Sequence, residues 1–264
     1  MLKDITIGQY FSVDSPIHRL DPRVKILAVM FYMTALFLID TIPGYLPTVF
    51  ALGAVIALSK VPLRLIVRGL KPILFLVSFA FVLNVFLTPG EGEPLFRLGF
   101  LKVYALGLER AFLMAIRLVL LITGTSLLTL TTSPIELTDG IEYLLNPFKR
   151  IGLPAHEIAM MMTIALRFIP TLIEETDKIM KAQMARGADF ESGNLGKRAK
   201  ALIPLLVPLF ISAFRRADEL AMAMEARCYR GGDGRTRMKV LRMKRADWIT
   251  VIVVGIYFAS SFFL

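Results

Sequence analysis

Two arginines stand in matching surroundings: Arg186 in "KAQMARGADF" and Arg227 in "AMEARCYRGG", 41 residues apart (227 − 186 = 41). An arginine in the last turn of a helix is favoured by the helix dipole, and its planar fork suits a carboxylate partner. Either one alone reads as an ordinary C-terminal cation on a solvated helix end. The offset of 41 also aligns Asp177 with Asp218, Ala182 with Ala223 and Ala185 with Ala226, so the whole tip is repeated. Small residues before each arginine let a backbone come close to a neighbouring surface. The candidate binding set is therefore Ala185, Arg186 and Gly187 in one tip and Ala226, Arg227 and Cys228 in the other. Two similar tips suit a partner that presents two similar sockets. Cys228 stands where the simplest Ala-Arg-Gly form has glycine, which weakens the close-approach argument at the second tip.

Little else in the chain resembles catalytic chemistry. "GNLGKR" (193–198) offers a Gly-Lys pair, but Glu191 and Arg198 replace the glycine and the hydroxyl residue that a nucleotide-binding P-loop needs. "GGDG" (231–234) is a turn, with glycines too few and wrongly spaced for a dinucleotide fingerprint. There is no HExxH, no GxSxG and no paired-aspartate motif for prenyl diphosphates. One cysteine, Cys228, allows no intramolecular disulfide, and His18 and His156 are too few for a histidine-based metal centre. No cofactor, metal or enzymatic activity is expected of this chain.

The elements that carry the tips belong to a membrane protein. Of 264 residues 56% are hydrophobic and the net charge is +10, more apolar than a usual soluble domain, so the positive charge points to a membrane surface rather than nucleic acid. "MLKDITIGQYFSVDS" has no apolar h-region, so no cleaved signal peptide is expected. Apolar runs at about 24–39, 44–58, 71–88, 105–131 and 247–264 predict five spans, the first three near or below the lower limit of roughly 17 residues. Arg23 and Lys25 before the first run, and Lys60, Arg64, Arg68 and Lys71 after the second, predict an inside N-terminus by the positive-inside rule. "DTIPGY" (40–45) and the loop 88–104 then lie outside, and so does the C-terminus. Arg117 falls deep in the fourth run, where it needs a partner.

The fold class is thus all-α and polytopic: an N-terminal transmembrane region (1–131, four spans), a cytoplasmic region (132–246) and a C-terminal transmembrane helix (247–264). Lys178, Lys181, Arg186, Lys197, Arg198 and Lys200 between the apolar runs 159–173 and 201–214 oppose a membrane hairpin there, so both runs are expected as partly buried or interfacial helices. From Ile164 through Phe168, Leu172, Ile179 and Met184 the spacing predicts a helix ending near Gly187, and a second runs from about Pro208 to Tyr229. Asp177 and Lys181 make an i,i+4 pair with the acid first. Asp21-Pro22 reads as an N-cap and N1 pair for the first span, and Ser133 to Glu136 as a capping box. Methionines gather in the cytoplasmic region (Met160–Met162, Met180, Met184, Met222, Met224), as on faces that repack against partners.

Three passages together resemble the transmembrane T component of energy-coupling factor (ECF) transporters. They are "SPIHRLDPRVK" (15–25), "TTSPIELTDGIEYLLNPFKRIGLP" (131–154), and the pair "ARG" (185–187) and "ARC" (226–228) followed by "YRGGDGRTR". The resemblance covers nearly the whole chain in matching order. It implies a non-catalytic subunit linking two cytoplasmic ATPase subunits to a membrane S component that captures a vitamin or metal ion. It also implies two long crossing helices whose arginine tips, Arg186 and Arg227, contact the ATPases, in a multi-pass protein of the cell membrane. The competing readings are a stand-alone secondary transporter or channel and an intramembrane enzyme. Sparse mid-span polar residues (Asn84, Thr123, Thr125, Ser126) and a repeat outside the spans speak against the first, and missing catalytic clusters against the second.

Overall fold

The computed structural model describes residues 10–88, 96–98, 101–190, 194–232 and 240–262. Among the described residues the chain is all-α apart from one short hairpin. Its helices are α1 (Pro22–Leu38), α2 (Tyr45–Ser59), α3 (Leu63–Leu87), α4 (Ala105–Thr131), α5 (Pro134–Leu145), α6 (Ala155–Ala185), α7 (Leu195–Ala226) and α8 (Arg245–Ser260), with a 3₁₀ turn at Asn146–Ile151. Inside the expected outer loop, β1 (Phe96–Leu98) and β2 (Leu101–Val103) pair antiparallel, Arg97 opposite Lys102. Two compact units result, one built on Ile141–Lys239 and the other on Gly8–Gly140 with Val240–Leu264.

Local chemistry explains most helix ends. The Asp21 carboxylate accepts from the Arg23 backbone N–H at 3.0 Å, and Pro22 opens α1. Both arms of the box at α5 form: Glu136 N–H donates to Ser133 Oγ at 3.3 Å and Ser133 N–H to Glu136 Oε2 at 3.4 Å. Lys60 ends α2 in a left-handed conformation (φ 55°), and Pro62 precedes α3. As a result Arg64, Arg68 and Lys71 ride on the first turns of α3. Their polarity made the apolar run seem to begin later than the helix does.

The unit built on Gly8–Gly140 and Val240–Leu264 buries two small apolar clusters, Leu36, Ile39, Tyr45 and Leu120 in one and Val61, Ile66, Leu127 and Leu130 in the other. Large apolar side chains elsewhere face outward, among them Phe50 (82% exposed) and Phe75 (79%). A water-soluble domain rarely shows so much; hydrocarbon is their solvent. By length and composition α3, α4 and α6 can each cross a membrane, while α1, α2 and α8 have 17, 15 and 16 residues.

Charged groups in this unit act as ties. Arg117 donates to the Ile39 carbonyl (2.7 Å) and the Tyr45 hydroxyl (2.9 Å), reaches Asp40 at 3.4 Å, and lies over the Phe37 ring. It joins α4 to the α1–α2 turn, the structural pairing its depth demands. Asp247, 1% exposed, accepts from the Lys244 N–H (2.7 Å) that starts α8 and from the Asp21 N–H (2.8 Å) that starts α1. One buried carboxylate thus fixes two helix starts. His18 bonds Ser15 Oγ at 2.7 Å and the Phe11 carbonyl at 3.0 Å, shaping the turn before α1.

Candidate functional site

The second unit is dominated by α6 and α7, of 31 and 32 residues. The runs 159–173 and 201–214, expected as partly buried or interfacial helices, lie inside these two, which begin at Ala155 and Leu195 rather than near Ile164 and Pro208. Pro170, Pro204 and Pro208 are all inside helix. An internal proline deletes one backbone bond and bends the axis; ending the helix would strand several groups at once.

The two helices run antiparallel. Gln183 reaches the Pro204 carbonyl at 3.5 Å, while Glu175, earlier in α6, meets Ser212 and Arg216, later in α7. Towards the start of α6, Ile164, Phe168 and Leu172 face Ala213, Leu220 and Met224 across an apolar groove of about 240 Å³. Glu175 is the clasp: it accepts from Ser212 Oγ at 2.5 Å and from Arg216 Nη2 at 2.7 Å, partly shielded from solvent. On the exposed side Lys181 pairs with Asp177 at 3.2 Å, as the sequence spacing predicts.

Glu175 and Arg216 are themselves 41 residues apart, the offset that relates the two arginine tips. Positions equivalent in the repeat meet across the helix pair, as they do at a two-fold axis. From that meeting point Arg186 lies 11 residues further along α6 (186 − 175) and Arg227 lies 11 further along α7 (227 − 216). At 1.5 Å per residue the tips stand about 16 Å either side of the clasp, up to about 33 Å apart. They point to opposite ends of the pair.

Each tip closes in the same hydrogen-bond pattern. In the first, the Gly187 N–H donates to Met184 O and the Ala188 N–H to Gln183 O, both 3.0 Å. In the second, the Cys228 N–H donates to Glu225 O (2.8 Å) and the Tyr229 N–H to Met224 O (3.0 Å). These are paired Schellman closures with the arginine at the C-cap and a left-handed residue after it. Gly187 has φ 88° and Cys228 φ 56°, so the cysteine accepts the conformation glycine would take. All six candidate residues, Ala185, Arg186, Gly187, Ala226, Arg227 and Cys228, are exposed. Neither set forms a reaction centre; each is an accessible cationic knob on a rigid stem.

Sequence reasoning missed the clasp and a second brace. His156, in the first turn of α6, bonds Glu142 at 2.9 Å. Gly232, just beyond the second tip, lies so close to that imidazole that an added Cβ would come within 2.6 Å of it. The clasp had a visible signal, an acid and a base at the repeat offset. The brace had none, because no spacing rule links residues 156 and 232.

Comparison with known proteins shows the family. The family model described as "Cobalt transport protein" (CbiQ) matches residues 14–239. The energy-coupling factor transporter transmembrane protein EcfT of Clostridium kluyveri is 65% identical over 249 residues, covering 94% of this chain and 92% of its own length. Its counterpart in Thermosediminibacter oceani is 59% identical over 261 residues (98% and 97%), and that of Bacillus subtilis 50% over 265 (100% and 99%). With the match running from before α1 to beyond both arginine tips, this chain belongs to the CbiQ family of transport proteins, as a transmembrane component of energy-coupling factor transporters.

Proposed function

We propose that this chain is the non-catalytic coupling subunit of an importer, carrying motion from two cytoplasmic ATPase subunits to a membrane S component that binds a vitamin or metal ion. In this reading 1–131 and 247–264 are membrane regions, in five spans with the N-terminus inside a cell membrane, and 132–246 is the cytoplasmic coupling region. The observation that carries it is the duplicated tip: one closure, one C-cap arginine and one left-handed residue, repeated at opposite ends of an antiparallel pair. A single cationic helix end is commonplace. Two equivalent ends aimed apart call for a partner with two equivalent acidic sockets, and two copies of an ATPase supply them. Arg186 and Arg227 would dock through charge-assisted bonds, with Ala185, Gly187, Ala226 and Cys228 keeping the contact close. ATP-driven closure of the ATPases would then change the angle between α6 and α7, and their exposed apolar faces would pass that change to the S component.

Two experiments test the assignment. Arg186→Glu combined with Arg227→Glu releases the ATPases on co-purification, or uncouples them, while the protein still inserts into the membrane. Retained ATPase assembly with full uptake in that double variant refutes it. Cys228 supplies a reporter in the unaltered chain, being the sole cysteine and exposed. A thiol-reactive probe labels it in the isolated subunit and is blocked once ATPases are bound; equal labelling in both states refutes docking at the second tip.

A further inference from the structure

The stretch Ile141–Lys239 joins the rest of the chain at Gly140 and at Val240. One turn, Asp21–Ile26 at the start of α1, holds the chain at both joints. At the first, Gly140 of α5 lies so close that an added Cβ would stand 3.0 Å from Ile26 Cδ1 and 3.3 Å from Pro22 Cβ. A glycine inside a helix weakens it, and its use here is the close approach of another backbone. At the second, Arg23 donates from Nη2 to the Leu241 carbonyl at 2.8 Å, one residue past the joint. Residues 240–244 form no helix or strand, so this tie takes up slack that regular structure does not.

Arg23 is itself held in place. Its Nε donates to the Asp21 carboxylate at 3.2 Å, and both side chains are largely buried. The Asp21 N–H donates to Asp247 at 2.8 Å, and Asp247 also accepts from the Lys244 N–H at 2.7 Å. Polar contacts thus run unbroken from Leu241 through Arg23, Asp21 and Asp247 to Lys244, closing a ring around the returning segment. From the same turn Lys25 donates to the Thr131 carbonyl at 2.9 Å, at the end of α4. Six residues therefore hold α4, α5, the returning segment and α8, all within the unit built on Gly8–Gly140 and Val240–Leu264.

Connectivity alone gives α5 and α8 a share in any movement of 141–239, because the chain runs directly into both. α1 follows neither joint and feels such movement only through the contacts of its first turn. We infer that the Asp21–Ile26 turn is the anchor through which displacement of the coupling region reaches α1, with Arg23 as its positioning residue. The inference rests on the coupling role proposed above. Because Arg23 grips Leu241, a pull on residues 240–244 arrives at α1 and α8 together. Because Gly140 brings α5 against Pro22 and Ile26, the other joint acts on the same helix start.

The full chain is co-purified with its ATPase subunits, and amide exchange is compared with and without Mg²⁺ and a non-hydrolysable ATP analogue. The nucleotide is expected to change exchange at the tip amides of Ala188 and Tyr229 and at the Lys25 N–H, which bonds the Asp21 carbonyl at 3.2 Å in the first turn of α1. Arg23→Ala keeps the response at the tips and lowers that at Lys25 at least threefold. Arg23→Lys, which keeps a cation within reach of the Leu241 carbonyl, restores it. A merely structural arginine would raise exchange at Lys25 equally with and without nucleotide, so an unreduced response at Lys25 in Arg23→Ala overturns the anchor. Should that variant fail to fold, the unaltered complex carries the test. A Lys25 amide that ignores the nucleotide while both tips respond overturns the anchor alone. Tips that do not respond refute the coupling role itself, and the anchor's part in it.

Discussion

The two tips share a backbone trap but not the residue inside it, so a side chain added at one and a glycine put in at the other should shift them in opposite senses. At Gly187, φ 88°, a side chain must enter the left-handed region; at Cys228, φ 56°, one already has. That region costs a residue with a Cβ about 1–2 kcal/mol, and the lower chain entropy of a non-glycine residue in the unfolded state returns about 0.4–1 kcal/mol. A Cβ added at Gly187 meets nothing within 4 Å, so Gly187→Ala measures the backbone term without a clash. The net is roughly 0.5–1 kcal/mol lost at the first tip and a similar amount gained at the second by Cys228→Gly. In opening equilibria that is about a 2–5-fold change. Amide hydrogen exchange reads it at the closing bonds, Ala188 N–H to Gln183 O and Tyr229 N–H to Met224 O. Gly187→Ala should speed exchange at Ala188 and leave Tyr229 alone; Cys228→Gly should slow exchange at Tyr229 and leave Ala188 alone. Faster exchange at Tyr229 in Cys228→Gly would mean that the thiol, not the backbone, holds that end together.

Three further outcomes follow from the ties. Asp247→Ala leaves the buried N–H groups of Asp21 and Lys244 without their acceptor and should cost about 3 kcal/mol, seen as a lower melting temperature in detergent; an unchanged melt refutes the latch. Glu175→Arg with Arg216→Glu should recover about 1 kcal/mol relative to the sum of the two single changes, a coupling that vanishes if the clasp is only a surface contact. Gly232→Ala pushes a methyl into the His156 ring and should raise exchange around Tyr229 several-fold while sparing Ala188; equal exchange at both sites in this variant contradicts the brace.

Much of this architecture could be read before any coordinates. Asp21-Pro22 and Ser133…Glu136 are local rules with local outcomes, and both form. The repeat of 41 marked both tips because each is a short motif that ends its own helix. Helix lengths were harder. α6 and α7 carry internal prolines, so the spacing started them near Ile164 and Pro208, whereas the hydrogen-bond ladder starts at Ala155 and Leu195. Least legible were ties between distant segments, such as Asp247 to Asp21 and His156 to Gly232, which exist only after packing. Cys228 marks the limit of reading by residue type. Its departure from glycine looked like a weakened tip, yet φ 56° keeps the same closure as Gly187.

The placing of the Glu175–Arg216 pair has a mechanical meaning. With 11 residues from it to either tip, it is the pivot of two levers whose arms point opposite ways and are equally long. A 10° change of the angle at the pivot swings each tip by about 3 Å on an arm of about 16 Å. Equal arms make the two strokes equal, so neither end gains leverage over the other. In the proposed coupling role such a pair would carry equal strokes to two like partners.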